Sequence, residues 1–97
     1  MIEGKTKSGF KFHVDERILD DWRLVEAIKR SESDDASEII RGMTDLVDLV
    51  IGDQGDALKK HIADKNEGYI PKDAIIKTIT EIINESRELK NSQSSEG

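Results

Sequence analysis

The sequence predicts an α+β fold, in which an N-terminal β-hairpin is followed by about four helices in one small domain. Two observations lead to this prediction. Near the start of the chain, apolar and polar residues alternate with a period of two, which is typical of a strand with one buried face. Beyond residue 15, apolar residues recur every three or four positions, and Asp, Gly and Pro stand where helices are expected to begin and end.

The hairpin is predicted from residues 6–14. Thr6-Lys7-Ser8-Gly9 has the composition of a tight turn, in which Gly9 can adopt a positive φ. Phe10, Phe12 and Val14 then alternate with polar residues and are expected to face the core. Since a two-stranded ribbon is only marginally stable alone, helices or the strand of a neighbouring copy are expected to cover it.

The first helix is expected to begin after Asp15, which can cap it, and to end around residues 30–33. Trp22 is interpreted as a core anchor within this helix. Asp20 and Asp21 indicate a kink, because the chain can be capped afresh there. The predicted buried stripe consists of Ile18, Leu19, Trp22, Val25 and Ile28.

The second helix is expected to begin at Asp35-Ala36-Ser37-Glu38, a capping-box pattern, and to end at Gly52. The apolar stripe of this helix is wide, which indicates that other elements contact the helix on more than one side. A short third helix over about residues 54–64 is expected to be capped by Asp53. The stripe of the second helix consists of Ala36, Ile39, Ile40, Met43, Leu46, Val47 and Val50, and the third helix directs Ala57, Leu58 and Ile62 inward.

The last helix is expected to begin at Pro71, which suits a first helical turn, and to run to about Lys90. Its apolar side consists of Ala74, Ile75, Ile79, Ile82, Ile83 and Leu89. Ile76 lies off that side and is expected to be exposed, which together with the wide second helix is compatible with a homo-oligomer formed through the helices. Residues 1–90 then form a single domain, and residues 91–97, which carry no apolar side chain, are expected to form a disordered tail.

Composition excludes several classes of function. The chain has no cysteine, which excludes disulfides and Cys-based metal sites, and it has no apolar run that could span a membrane. The N-terminus lacks the apolar centre of a signal peptide, so an intracellular domain is expected. The net charge is −6, and residues 13–56 hold 13 acidic residues against 5 basic ones. Because such a block repels phosphate, binding to nucleic acid or to anionic lipid is not expected.

The residues that could carry chemistry point to no enzyme, no metal and no cofactor. The segment DKNEGYI at residues 64–70 resembles the start of a calcium-binding loop, but its glycine arrives one residue early and the last ligand position falls on Ala74. A polar helix–helix connection with a glycine turn is therefore favoured over an ion-binding module. His13 and His61 are expected at the surface or its boundary rather than in a zinc site. Phosphate-binding glycine motifs and a serine elbow are absent.

Three stretches, taken in order, resemble a known family: GKTKSGFKFHVDERILDDWRLVEAI, IIRGMTDLVDLVIGDQGDALKKHI and ADKNEGYIPKDAIIKTITEII. They give a Lys/Gly-rich hairpin, an acidic helix start, an apolar helix ending in glycine, a short helix, a charged glycine turn and a final amphipathic helix. This order is similar to that of the small tail assembly chaperones of long-tailed bacteriophages, especially those of phages and prophages of Gram-positive bacteria. The resemblance covers about residues 3–90.

The resemblance implies a non-enzymatic protein of the host bacterial cytoplasm that binds the phage tape measure protein, helps to recruit the major tail protein and is absent from the mature virion. An apolar groove on such a chain would cover apolar helical faces of its partner. Trp22, Met43 and Ile76 are the predicted contacts. The family also commonly makes a longer product by a −1 ribosomal frameshift, which codons for residues 89–91 permit. The residues alone leave one alternative, a small acidic adaptor that binds a basic surface of a partner protein.

Overall fold

The computed structural model describes residues 1–94, with side chains through Asn91. An antiparallel hairpin followed by a mostly helical chain confirms the α+β prediction. In chain order the elements are β1 (Ile2–Lys5), β2 (Lys11–Val14), a 3-10 helix (Glu16–Asp20), α1 (Trp22–Ser31), α2 (Ala36–Ile51), a 3-10 turn (Gly52–Gln54), α3 (Gly55–Lys65) and α4 (Lys72–Ser94).

The helices form three continuous segments rather than about four separate helices, so the predicted helix count is wrong. No loop separates α2 from α3, because the 3-10 turn joins them directly. Gly52 has a φ of 51°, which glycine adopts at little cost, and its N–H donates to the carbonyls of Val47 and Asp48 to end α2 as predicted. The prediction that Asp53 caps α3 is also wrong, since Gln54 occupies that position and makes no side-chain capping bond.

The hairpin matches its prediction. The Thr6 N–H donates to the Phe10 carbonyl at 2.9 Å, and Gly9 has a φ of 97°, so the turn lies at the expected residues. Gly4 pairs with Phe12 across the two strands. A Cβ on Gly4 would lie 2.6 Å from Cζ of Phe12, so the aromatic ring covers the part of β1 that has no side chain. The buried apolar residues of the turn and β2 are Phe10, Phe12 and Val14.

The chain is capped afresh at Asp21, as the predicted kink requires. Asp21 accepts a hydrogen bond from the N–H of Arg23 at 2.8 Å, and Asp15 accepts one from the N–H of Arg17 at 3.0 Å at the start of the 3-10 helix. Each arginine side chain returns to the same carboxylate, at N–O distances of 2.6 Å for Asp15 and 2.7 Å for Asp21. These side-chain hydrogen bonds lower the pKa of both aspartates from the ordinary value of 3.8 to about 2.

This restart overturns two positions of the predicted stripe of the first helix, Trp22 and Val25. The other predicted positions are buried or pack against the core as expected: Leu19, Ile18 and Ile28. Because α1 begins only at Trp22, its apolar positions have a different phase from those of the preceding 3-10 helix. Leu24 and Ala27 are buried, whereas Trp22 is 69% exposed and Val25 is also exposed. The interpretation of Trp22 as a core anchor is therefore wrong.

α1 packs closely against α2 at Gly42, a residue that the apolar pattern did not single out. A Cβ at this position would collide with the backbone nitrogen of Ser31 and lie 2.8 Å from the carbonyl oxygen of Ala27. On the same helix pair, Arg30 reaches Asp45 at an N–O distance of 3.1 Å. Glycine thus sets how near the two helices lie, because any side chain there would push them apart.

The start of α2 departs from the capping-box prediction in one respect. Asp35 caps the helix by accepting from the Ser37 N–H at 2.9 Å, as expected. In a capping box, Glu38 would accept from the N–H of Asp35. That N–H donates instead to the hydroxyl of Ser33, and Oε2 of Glu38 lies 3.9 Å from Nε of Arg30. Ile40, expected in the apolar stripe, is 63% exposed.

The core lies between the hairpin and the helices, and every helix contributes to it. Ile79, Ile82 and Ile83 are buried as predicted, and Ser86 is fully buried beside them with no hydrogen-bond partner for its hydroxyl among the described residues. α4 extends past Lys90 through Ser94, so part of the tail expected over 91–97 lies in this helix. The remainder of that tail, residues 95–97, lies outside the described residues.

Candidate partner-binding groove

An open groove runs between α2 and α4 and reaches the C-terminal end of α1. Its volume is about 700 Å³. Met43 of α2 and Ile76 of α4, which are distant in the sequence, both line it, so the structure brings two of the three predicted contacts together. Ile76 is half-buried rather than exposed as expected. The apolar residues of this surface, here the α2–α4 groove, are Ile28, Ile39, Met43, Leu46, Ile76 and Ile83.

α4 packs into the core with one face and lines the groove with another. The predicted apolar side is the core face, while a second stripe beside it, which shares Ile83 with that side, lines the groove. The residues of this stripe follow one another at spacings of four, three and four: Ile76, Thr80, Ile83 and Arg87. Polar residues interrupt this second stripe, so the apolar pattern alone did not show it. The regular spacing was the signal that could have found it.

The rim of the α2–α4 groove carries more cations than anions, although the whole chain has a net charge of −6. Lys72, Lys77 and Arg87 line it, against Glu32 and Asp73. Within the described residues, none of these three cations forms a salt bridge. An apolar floor with unpaired cations at its edge suits an apolar segment that carries acidic residues.

A second hollow continues the groove along α2 toward α3. Its volume is about 410 Å³, and Met43 and Lys72 line both hollows. Val47, Ile70 and Ile75 supply apolar surface here. Apolar surface therefore extends along much of α2, with Met43 in the middle of it.

The hairpin and the 3-10 helix hold α4 in the position that forms the groove. The N–H of Lys7 donates to the Glu81 carboxylate at 2.6 Å, and Nζ of Lys90 lies 2.6 Å from Oδ2 of Asp20. These contacts attach the middle and the later part of α4 to the N-terminal elements. The spacing of α4 from α2 consequently depends on residues far from the groove itself.

Trp22 lies apart from the other two predicted contacts. It lines a separate hollow on the outer face of α1, together with Val25 and Lys29. Neither Trp22 nor Val25 lines the α2–α4 groove. The structure therefore does not join the three predicted contacts into one surface.

The histidines lie where the sequence predicted. His13 is exposed on β2, and His61 is half-buried, with Nε2 3.0 Å from the hydroxyl of Ser8 and its ring 5.5 Å from the Phe10 ring. Among the residues whose side chains the structure describes, those of His, Cys, Asp and Glu form no group of three or more that could hold a metal ion. Through these contacts with Ser8 and Phe10, His61 packs the tip of the hairpin against α3.

The segment after α3 is a helix–helix connection with a glycine turn, as the sequence favoured. Gly68 has a φ of 90°, and its N–H donates to the Ala63 carbonyl at 2.7 Å. The side-chain nitrogen of Asn66 donates to the Ile62 carbonyl at 2.8 Å. These bonds use the polar groups of the segment to close the end of the helix.

Comparison of the chain with protein-family models, with curated proteins and with solved structures finds no match. In the part of the chain that the structure describes, no helix is both long and apolar enough to cross a membrane.

Proposed function

We propose that this protein is a non-enzymatic tail assembly chaperone of a long-tailed phage or prophage, which binds an apolar helical segment of the tape measure protein in the α2–α4 groove. The observation that carries the proposal is the open apolar floor shared by Met43 and Ile76. In this proposal the protein also helps to recruit the major tail protein, acts in the host bacterial cytoplasm and does not remain in the mature virion. The resemblance of residues 3–90 supplies the assembly context.

The shape of the groove supports a helical ligand. Two helices form its sides, and an amphipathic helix that packs on both would place apolar residues at a spacing of three and four against the floor. A tape measure protein is a long helical chain whose apolar faces are uncovered before assembly. Transient cover of such faces prevents aggregation, since uncovered apolar surface is what drives it.

The charges around the groove favour this function over the acidic adaptor. Lys72, Lys77 and Arg87 would meet acidic residues of the ligand, whereas an adaptor needs acidic groups available for a basic partner. Several aspartates of the acidic block are already engaged within the chain, for example Asp45 with Arg30 at 3.1 Å.

Co-expression with the tape measure protein of the same phage genome tests the proposal. We expect the chaperone to co-purify with it and to raise its soluble yield. Ile76→Asp places a charge on the groove floor and is expected to weaken binding at least about tenfold. Ile40→Asp is the matched control, because the Ile40 side chain is 63% exposed and lies outside the groove. Equal loss in both variants would contradict the assignment of the groove.

A rim variant keeps the test independent of core packing. Lys77→Glu/Arg87→Glu reverses two exposed charges without altering the floor. We expect weaker binding of an acidic apolar helix and unchanged melting of the free protein. A complex that dissociates steeply with salt and is indifferent to Ile76→Asp would instead support the adaptor.

The gene offers a second test of the assembly context. A slippery heptamer at the codons for residues 89–91, followed by an overlapping −1 frame and then a very long helical reading frame, is the expected arrangement. Neighbouring genes with no relation to phage tails would contradict the proposal, even if the groove binds an apolar helix.

A further inference from the structure

The outer edge of β1 has its backbone groups available for another strand. The N–H and the carbonyl of His13 both bond to the side chain of Gln54, so they point away from β1. Glu3 lies directly opposite His13. Because the backbone groups of His13 point outward, this is a non-hydrogen-bonded antiparallel pair, in which the N–H and carbonyl of both residues point away from the partner strand. Glu3 therefore points its N–H and carbonyl away from β2, and Lys5, two residues on, does likewise.

These four backbone groups have no hydrogen-bond partner among the described residues. The side chains of Glu3 and Lys5 are exposed. An unpaired strand edge is a template for a further strand, and a two-stranded sheet gains stability from one. Gln54 occupies the outward-facing groups of β2 at His13 and leaves only those of Lys11 there, so the longer open stretch of edge lies on β1, at Glu3 and Lys5.

Charge selects which strand and which register fit this edge. If two copies of β1 pair antiparallel about a two-fold axis at Gly4, Glu3 of each copy lies opposite Lys5 of the other, and the outward-facing groups of both residues meet. A shift of two residues one way places Glu3 opposite Glu3, and a shift the other way places Lys5 opposite Lys5. Like charges directly opposite are destabilising, so only the first register is complementary.

We propose that two copies of this chain associate through β1 in that register, to form a four-stranded antiparallel sheet in the order β2–β1–β1–β2. Gly4 lies at the two-fold axis in a non-hydrogen-bonded pair, where strands approach most closely and a glycine leaves room. The interface is separate from the α2–α4 groove, which no hairpin residue lines. The inference therefore goes beyond the proposed function, and either can fail alone.

Charge reversal tests this interface directly. Sedimentation velocity over about a hundredfold range of concentration is expected to show a monomer–dimer equilibrium of the wild-type chain. Glu3→Lys sets a lysine opposite Lys5 of the other copy, and Lys5→Glu sets a glutamate opposite Glu3. Each variant alone is therefore expected to dimerise at least about tenfold more weakly. Mixed together, the two variants restore both Glu–Lys pairs and are expected to form a heterodimer as tight as the wild-type dimer.

Lys60→Glu is the matched control, since it makes the same charge change as Lys5→Glu at an exposed position on α3. It is expected to leave the dimer unchanged. A wild-type chain that stays monomeric throughout, or single variants that do not associate when mixed, would overturn the proposal. Both substituted side chains are exposed, and thermal melting of each variant verifies that the fold is retained.

Discussion

The side-chain amide of Gln54 binds both backbone polar groups of His13. Oε1 accepts from the His13 N–H at 2.9 Å, and Nε2 donates to the His13 carbonyl at 2.8 Å. Nε2 also lies 3.0 Å from the carbonyl oxygen of Ile51 at the end of α2. One glutamine thus takes the place of a neighbouring strand at His13 and attaches the hairpin to the α2–α3 junction.

Gln54→Ala is expected to lower the free energy of unfolding by about 1 kcal/mol, because both hydrogen bonds to the strand are lost in a partly solvated place. Hydrogen exchange of the His13 amide should become faster in the same variant. Asp53→Ala, at the neighbouring exposed position, should change neither quantity. Unaltered exchange at His13 in Gln54→Ala would show that the glutamine does not protect the strand.

Gly42→Ala is expected to destabilise the protein by about 2 kcal/mol or more. The new Cβ collides with backbone atoms of α1, which can give way only if the helix as a whole shifts. Gly55→Ala provides the comparison, because a Cβ there lies 3.5 Å from the nearest atom, Cγ1 of Val47, in ordinary contact. That variant should be neutral or more stable by up to about 1 kcal/mol. Urea denaturation of the pair measures the difference, and equal effects would argue against close packing of α1 on α2.

Ser86→Ala is expected to stabilise the protein by about 1 kcal/mol. The hydroxyl of Ser86 is buried without a partner among the described residues, so the folded state bears the cost of taking this polar group out of water, and alanine removes that cost. Alanine also has the higher helix propensity. Ser31→Ala makes the same change where the hydroxyl donates to the Ile28 carbonyl at 2.7 Å, and it should be neutral or destabilising. Thermal unfolding of both variants decides the matter. A loss of stability in Ser86→Ala would mean that the hydroxyl has a partner in solution.

The two capping aspartates should make the protein sensitive to acid. Their folded-state pKa of about 2 lies below the ordinary value of 3.8, so the unfolded chain binds more protons in between. The stability they contribute is therefore present above pH 3.8 and is lost as the pH falls toward about 2. Asp15→Asn/Asp21→Asn keeps a capping oxygen and removes the titration, so its melting temperature should fall less steeply across this range. If the melting temperatures of the variant and the wild-type protein fall equally with pH, the lowered pKa values of the two aspartates are contradicted.

The single tryptophan reports on the outer face of α1. Because Trp22 is 69% exposed, its emission should already lie near that of a solvated indole in the native protein and shift little on unfolding. Acrylamide should quench it efficiently before denaturant is added. A blue-shifted, protected emission would place Trp22 in contact with apolar surface, either within the chain or in a second copy.

The hairpin and most helix ends could be predicted because they depend on residues close together in the sequence. Gly9 adopts the positive φ of its turn, Asp35 caps α2 through an N–H two residues away, and Gly52 ends that helix. Met43 was also identified at this level, since its position on an apolar helix follows from spacing alone. The local conformations that glycine and aspartate favour are enough to specify such features.

Only the tertiary structure decided which apolar faces are covered. Trp22 and Ile40 satisfy a helical pattern but face outward, because the restart of α1 and its close packing on α2 at Gly42 determine which side of each helix is used. Ile76 joined Met43 in one groove only once α4 was placed against α2. Spacing along a chain specifies that a helix has an apolar side. Which residues that side meets depends on contacts between distant segments, and these carry no local signal.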